Sequence, residues 1–103
     1  MYRISIGYIN KEEMIFDLAY FREKHMPMVA GFCKDVVKSW GVEEGVSFMG
    51  RTPIYRAIGY MYVESLEAFM TSFGVHGKEI SADVAKFTNQ QPQASYTVVM
   101  DEH

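Results

Sequence analysis

Residues 54–63, IYRAIGYMYV, constrain this chain more than any other stretch. They are rich in β-branched and aromatic residues, which marks a strand, and both alternating sets are apolar apart from Arg56. A strand that is apolar on both sides must be covered on both sides. Its neighbours supply the first cover. Residues 2–9 alternate, with Tyr2, Ile4, Ile6 and Tyr8 on one side and Arg3, Ser5, Gly7 and Ile9 on the other, and read as a second strand. Residues 10–13 read as a loop. Met14, Leu18, Phe21, His25, Val29, Phe32, Cys33, Val36 and Trp40 then recur at the spacing of one buried helical face, with Asp17 as N-cap and Gly41 as stop. VEEGVSFM (42–49) reads as a weaker strand interrupted by Gly45, and GRTP as a turn. Ser65 caps LEAFMTSF, whose Leu66, Phe69, Met70 and Phe73 share a face. HGKEISADVAKF reads as a short helix with Ile80, Val84 and Phe87 inward, and QASYTVVM (93–100) as a closing strand.

The order βαββαβ predicts an α+β fold, a ferredoxin-like sandwich whose four-stranded antiparallel sheet carries both helices on one face. No Pro/Gly/Ser linker divides the chain, so residues 1–103 are read as a single domain. The second sheet face is not cleanly polar, and the economical cover is another copy of the chain, a homodimer with sheets face to face.

Composition narrows the function. Apolar residues make up 49% and charged residues 22%, which argues against disorder. The net charge of −3 and the absence of a long basic run give nucleic-acid binding no electrostatic support. No stretch is apolar for long enough to cross a membrane, and residues 1–10 lack the apolar core of a secretory signal, so a cytoplasmic location is expected. A single cysteine, Cys33, cannot form an intramolecular disulfide and reads as a small core hydrophobe, with Trp40 also read as core. No nucleotide-binding glycine motif occurs, and neither cofactor nor metal is expected.

Three segments, DLAYFREKHMPMV (17–29), YRAIGYMYVESLEAF (55–69) and HGKEISADVAKFTNQQP (76–92), resemble the EthD family in order and spacing over about half the chain. Two details depart from the family pattern: the loop before the third strand is short, and ADVAKF lacks the usual proline after Asp83. The resemblance implies a dimeric α+β barrel. That architecture hosts cofactor-independent monooxygenases, polyketide cyclases, lactone isomerases and haem-degrading enzymes, and with the histidine and tyrosines present the expectation is acid/base work on a small apolar or aromatic oxygenated molecule. A non-catalytic binding or accessory dimer serving a degradative oxidation system is the alternative.

Pro27 interrupts the helical stripe. It cannot donate to the Glu23 carbonyl and it disfavours helical geometry at Met26, so the helix is expected to kink, or to break and restart with free N–H groups from Met28 onward that could hold an oxyanion. His25 stands beside this break. Two readings are open: a general acid/base near neutral pH, or a ring that bonds a freed carbonyl or stacks on Phe21. His76, Glu79 and Asp83 fall at i, i+3 and i+7, a spacing that could hold a divalent metal but is read more simply as a solvated helix face with a capping aspartate. Tyr60 is a candidate catalytic hydroxyl, with Tyr62 on the same strand face. Arg56 is read on that face too, near Arg3, with a ligand anion or an acidic side chain of a partner subunit as its counter-charge. The candidate site is therefore His25 and Tyr60 for chemistry, with Arg56, Tyr62, Met28, His76 and Asp83 as ligand contacts.

Overall fold

The alternation of residues 2–9 produces β1 (Tyr2–Ile9), which lies inside a four-stranded sheet. A computed structural model describes residues 1–103. β1 pairs on one side with β3 (Tyr55–Val63) and on the other with β4 (Gln93–Val98), and β2 (Val37–Glu44) lies beyond β3. All pairings are antiparallel, giving the order β2-β3-β1-β4 and the ferredoxin-like α+β fold. Ile4 and Tyr8 of β1 and Ala57, Met61 and Val63 of β3 are fully buried on the helix side.

Three helices cover that side. The first, α1, is continuous through Leu18–Tyr20, Phe21–His25 and Met26–Phe32. Asp17 caps it by accepting the Tyr20 N–H at 3.1 Å. α2 spans Leu66–Val75, with Ser65 accepting the Ala68 N–H at 3.1 Å, and α3 spans Gly77–Val84.

Pro27 neither breaks nor restarts α1. The turn before it widens instead: the Met26 N–H donates to the carbonyl of Phe21, five residues back, while the backbone at Phe21, His25 and Met26 stays right-handed helical. Such an insertion absorbs the missing donor within the helix. It also brings adjacent residues inward, so that His25 and Met26 are both buried. With no second helix N-terminus, the anion cradle expected from Met28 onward is not formed.

The other corrections concern β2. The helical stripe stops at Phe32, and Val36 and Trp40 extend it only by coincidence of spacing. A turn at Cys33–Val36 leads into β2, so the second strand occupies Val37–Glu44 rather than residues 42–49. Trp40 lies opposite Met61 on this edge strand and is 40% exposed, not core. Gly41, read as a helix stop, is a strand residue opposite Tyr60, and a Cβ there would collide with the Tyr60 hydroxyl.

That placement gives a paired expectation. Gly41→Ala lowers the unfolding free energy by roughly 1–3 kcal/mol through overpacking against Tyr60. Gly31→Ala, in α1 with open space where its Cβ would stand, raises it by roughly 0.5–1 kcal/mol. Urea denaturation of both variants checks the pair, and a stabilised Gly41→Ala would contradict the strand assignment.

Candidate functional site

His25 is 3% exposed, and its Nδ1 lies 2.9 Å from Oδ2 of Asp83 on α3. The other carboxylate oxygen, Oδ1, accepts the Tyr20 hydroxyl at 2.9 Å. Two features hold these helices in place. The Asp17 N–H donates to the Phe87 carbonyl at 2.8 Å, and the Thr88 hydroxyl donates to the Ile15 carbonyl at 2.6 Å, so the segment after α3 is tied to the start of α1. Phe87 then packs between the polar partners, its ring centroid 4.6 Å from His25 and 6.1 Å from Tyr20. Phe21 stacks on His25 at 6.0 Å. Of the structural reading, the stacking on Phe21 is present, but the hydrogen bond goes to Asp83 rather than to a freed carbonyl.

The electrostatics follow from this geometry. Burial pushes the His25 pKa below its ordinary value, and the attraction of Asp83 only partly opposes this. For Asp83, burial disfavours the charged form, but hydrogen bonds from His25 and Tyr20 outweigh it and hold the carboxyl below its usual range. At neutral pH the carboxylate is thus an acceptor on both oxygens, and His25 is neutral. Nδ1 must then be the protonated nitrogen, because a carboxylate cannot donate. Nε2 is left with its lone pair free and bonds no other protein atom.

His25 lines a cavity of about 260 Å³ between the sheet and the three helices. Ile6, Met61 and Ala94 form its floor, Met26 and Val29 come from α1, and Phe73 from α2. Of 15 lining residues 12 are hydrophobic and none is Lys, Arg, Asp or Glu, so the space suits an uncharged molecule. Tyr8 lines it as well. Its hydroxyl is buried without a hydrogen-bond partner, and burial raises its pKa well above the ordinary phenol value. An unpaired buried hydroxyl costs about 1–3 kcal/mol, a penalty that a bound polar group would remove.

The residues singled out from sequence do not all converge here. His25 and Asp83 meet directly. Met28 does not line the cavity, whereas its neighbour Met26 does. His76 joins α2 to α3 with its ring stacked on Phe32 at 4.0 Å and Nδ1 3.7 Å from Glu79, and it does not line the cavity either. The spacing of His76, Glu79 and Asp83 does not make a metal cluster, because Asp83 turns inward to His25. Tyr60 and Tyr62 lie on the opposite face of the sheet, where Arg3 stacks over Tyr60 at 4.3 Å and pairs with Glu43 at 2.7 Å. Arg56 does not share their face. A bulge shifts the β1–β3 register at Tyr8/Ile9, and Arg56 instead reaches the Phe16 ring at 5.5 Å and pairs with Glu44 of β2 at 3.0 Å. Its counter-charge therefore lies within the same chain.

Tyr8 and Tyr20 stand at the candidate site without being singled out by the sequence. Tyr8 is placed by the alternation on one side of β1, and nothing local reports that its hydroxyl lacks a partner. Tyr20 had a weak signal, the aromatic pair Tyr20–Phe21 preceding KHMP in the EthD-like segment.

No protein-family model and no curated protein matches the chain. Solved structures do. An EthD-like protein from Ralstonia eutropha JMP134 is 30% identical with a TM-score of 0.92, covering 99% of this chain and 94% of its own. An ethyl tert-butyl ether D (EthD) family protein from Bacillus halodurans C-125 is 18% identical with a TM-score of 0.72, covering 97% of this chain and 99% of its own. A dimeric ferredoxin-like protein from an uncultured marine organism, 12% identical with a TM-score of 0.57, covers 100% of this chain and 98% of its own and shares the fold. The chain is a ferredoxin-like α+β protein. It belongs to the EthD-like family.

The depressed His25 pKa has a measurable consequence. Asp83, with Tyr20 and Lys86 against it, and the hydroxyl of Tyr8 are the titratable groups around this ring. Between about 6.5, the unfolded value, and the lower folded midpoint, the unfolded chain binds a proton that the folded chain does not. Stability therefore declines as pH falls through that window. Nuclear magnetic resonance (NMR) titration of His25 is expected to give a midpoint below 6.5, and His25→Gln is expected to flatten the decline in that window. A raised midpoint would show that attraction to Asp83 outweighs burial.

Proposed function

We propose that this protein binds a small uncharged apolar or aromatic molecule in the cavity beneath the sheet and transforms it by proton transfer through His25. The observation that carries this reading is a buried histidine whose Nδ1 is tied to an aspartate and whose Nε2 remains free beside an apolar cavity. Such an arrangement fixes the tautomer and orients the base, and the carboxylate stabilises the imidazolium once a proton is taken. His25 is the catalytic group, and Asp83 and Tyr20 are positioning residues. The methionines Met26, Met61 and Met70 give the walls an adaptable surface.

The active form in this reading is a homodimer. On the face of the sheet away from the helices, Ile9, Ile58, Tyr60 and Tyr62 are half-buried in the single chain and form a band between β1 and β3. A second copy placed sheet to sheet would cover it, with Arg3 and Glu43 pairing at its border. Tyr60 and Tyr62 then serve assembly rather than chemistry.

Native mass spectrometry of protein purified from its own host tests both parts. The expected species is a dimer carrying a small-molecule adduct, with the adduct lost when Ala94→Trp fills the cavity floor. An adduct that survives Ala94→Trp would place the ligand elsewhere. A ligand recovered unchanged after prolonged incubation with active protein would favour simple binding over catalysis. Tyr62→Glu is expected to shift the dimer to monomer in sedimentation at micromolar concentration, and a wild-type monomer under those conditions would contradict the sheet-to-sheet assembly.

A further inference from the structure

We propose that the molecule taken by this cavity is an uncharged, enolisable carbonyl compound, with its carbonyl oxygen hydrogen-bonded by the Tyr8 hydroxyl and a proton on the adjacent carbon taken by His25 Nε2. The inference rests on the acid/base reading of the cavity and adds the substrate class and a second catalytic residue.

Four polar side chains line this mostly apolar space. Ser81 and Tyr96 are exposed to solvent, whereas Tyr8 and His25 are buried, and their characters differ. Tyr8 offers an O–H that burial keeps protonated and that no protein atom accepts. His25 offers a lone pair. Both rings pack on the same two neighbours: Phe21 and Phe87 each lie 5.6 Å from Tyr8, and 6.0 and 4.6 Å from His25. The two side chains therefore lie in one region of the cavity lining. A ligand that satisfies both needs an acceptor oxygen and a transferable hydrogen close together. No cation lines the space, which disfavours carboxylates and phosphates. A simple alcohol would be held, but it has nowhere to send electrons when a carbon-bound proton leaves. A carbonyl compound does. Size adds a bound: benzene occupies an apolar cavity of about 150 Å³, so by proportion a cavity of about 260 Å³ takes roughly ten non-hydrogen atoms, a bicyclic or substituted monocyclic ketone.

The step balances without an oxidant or reductant. The C–H electron pair becomes the C=C bond of an enolate as the carbonyl π pair moves onto oxygen, where the Tyr8 O–H stabilises the growing charge. The proton rests on Nε2, and the resulting imidazolium keeps its Nδ1–H on the Asp83 carboxylate. Return of the proton to the same carbon exchanges hydrogen. Return to the far end of a conjugated enolate moves a double bond.

β-Tetralone and its hydrocarbon counterpart tetralin are suitable probes. In deuterated buffer the protein is expected to exchange the benzylic protons of β-tetralone above the buffer rate. Tyr8→Phe should slow this by roughly a hundredfold, and His25→Gln should return it to the buffer rate. Tetralin reports occupancy alone: it should shift the Met26 and Met61 methyl signals equally in wild type and Tyr8→Phe. The phenylalanine variant keeps the aromatic packing and loses only an unpaired hydroxyl, so it is expected to fold. β-Tetralone that binds without exchange above buffer, or exchange unaffected by Tyr8→Phe, overturns this inference and leaves the cavity a ligand site. Failure of both probes to shift Met26 and Met61 overturns the cavity reading itself, and this inference with it.

Discussion

The hydrogen bond between His25 and Asp83 is the constraint on which the site depends. It joins α1 to α3 across 58 residues of sequence at a point where both groups are buried. A buried carboxylate is tolerated only when its oxygens are occupied, and here Tyr20 and His25 occupy one each. The same bond places the ring proton of the neutral histidine on Nδ1 and leaves the Nε2 lone pair free. The widened turn before Pro27 is the local device that makes this possible. It adds one residue to the helical circuit, letting His25 turn toward Asp83 while Met26 still reaches the core. The proline thus reshapes the helix without interrupting it.

The sheet separates two kinds of surface. Its helix side is largely apolar and, with the helices, forms the partly open cavity lined by Tyr8 and His25. Its far side carries Arg3, Tyr60 and Tyr62, with Glu43 on the edge strand matching the arginine. That ion pair is partly solvent-exposed and contributes little to stability. It leaves Arg3 paired while its guanidinium sits over the Tyr60 ring. A one-residue irregularity at Tyr8/Ile9 moves Arg56 from this side to the border of the core. Side chains in a strand alternate, so a single register step is enough to exchange faces.

How much of this was legible depended on range. β1 was read with its observed bounds, and the Asp17 and Ser65 caps with their observed roles, because alternation and capping are set by neighbours only a few residues apart. The end of α1 is not legible in the sequence, because Val36 and Trp40 happen to continue a helical spacing and nothing local distinguishes that coincidence from a longer helix. The site was legible only in fragments. His25 stood out through its company with Pro27, and Asp83 through its spacing from His76, but their partnership is a long-range contact and no periodicity reports it. The bulge that relocates Arg56 and the missing partner of Tyr8 are likewise properties of packing. The EthD-like segments come nearest to a sequence signal, since two of the three contain the dyad, His25 in the first and Asp83 in the third.

The central claim is that Asp83 fixes His25 as a neutral base with its lone pair on Nε2. Long-range proton–nitrogen correlation NMR on labelled protein at neutral pH reads this directly. The expected spectrum shows a protonated Nδ1 and an unprotonated Nε2 at His25. A ring protonated on Nε2 alone, or on both nitrogens, would contradict the account, because His25 would then present a donor to the cavity where proton abstraction requires an acceptor.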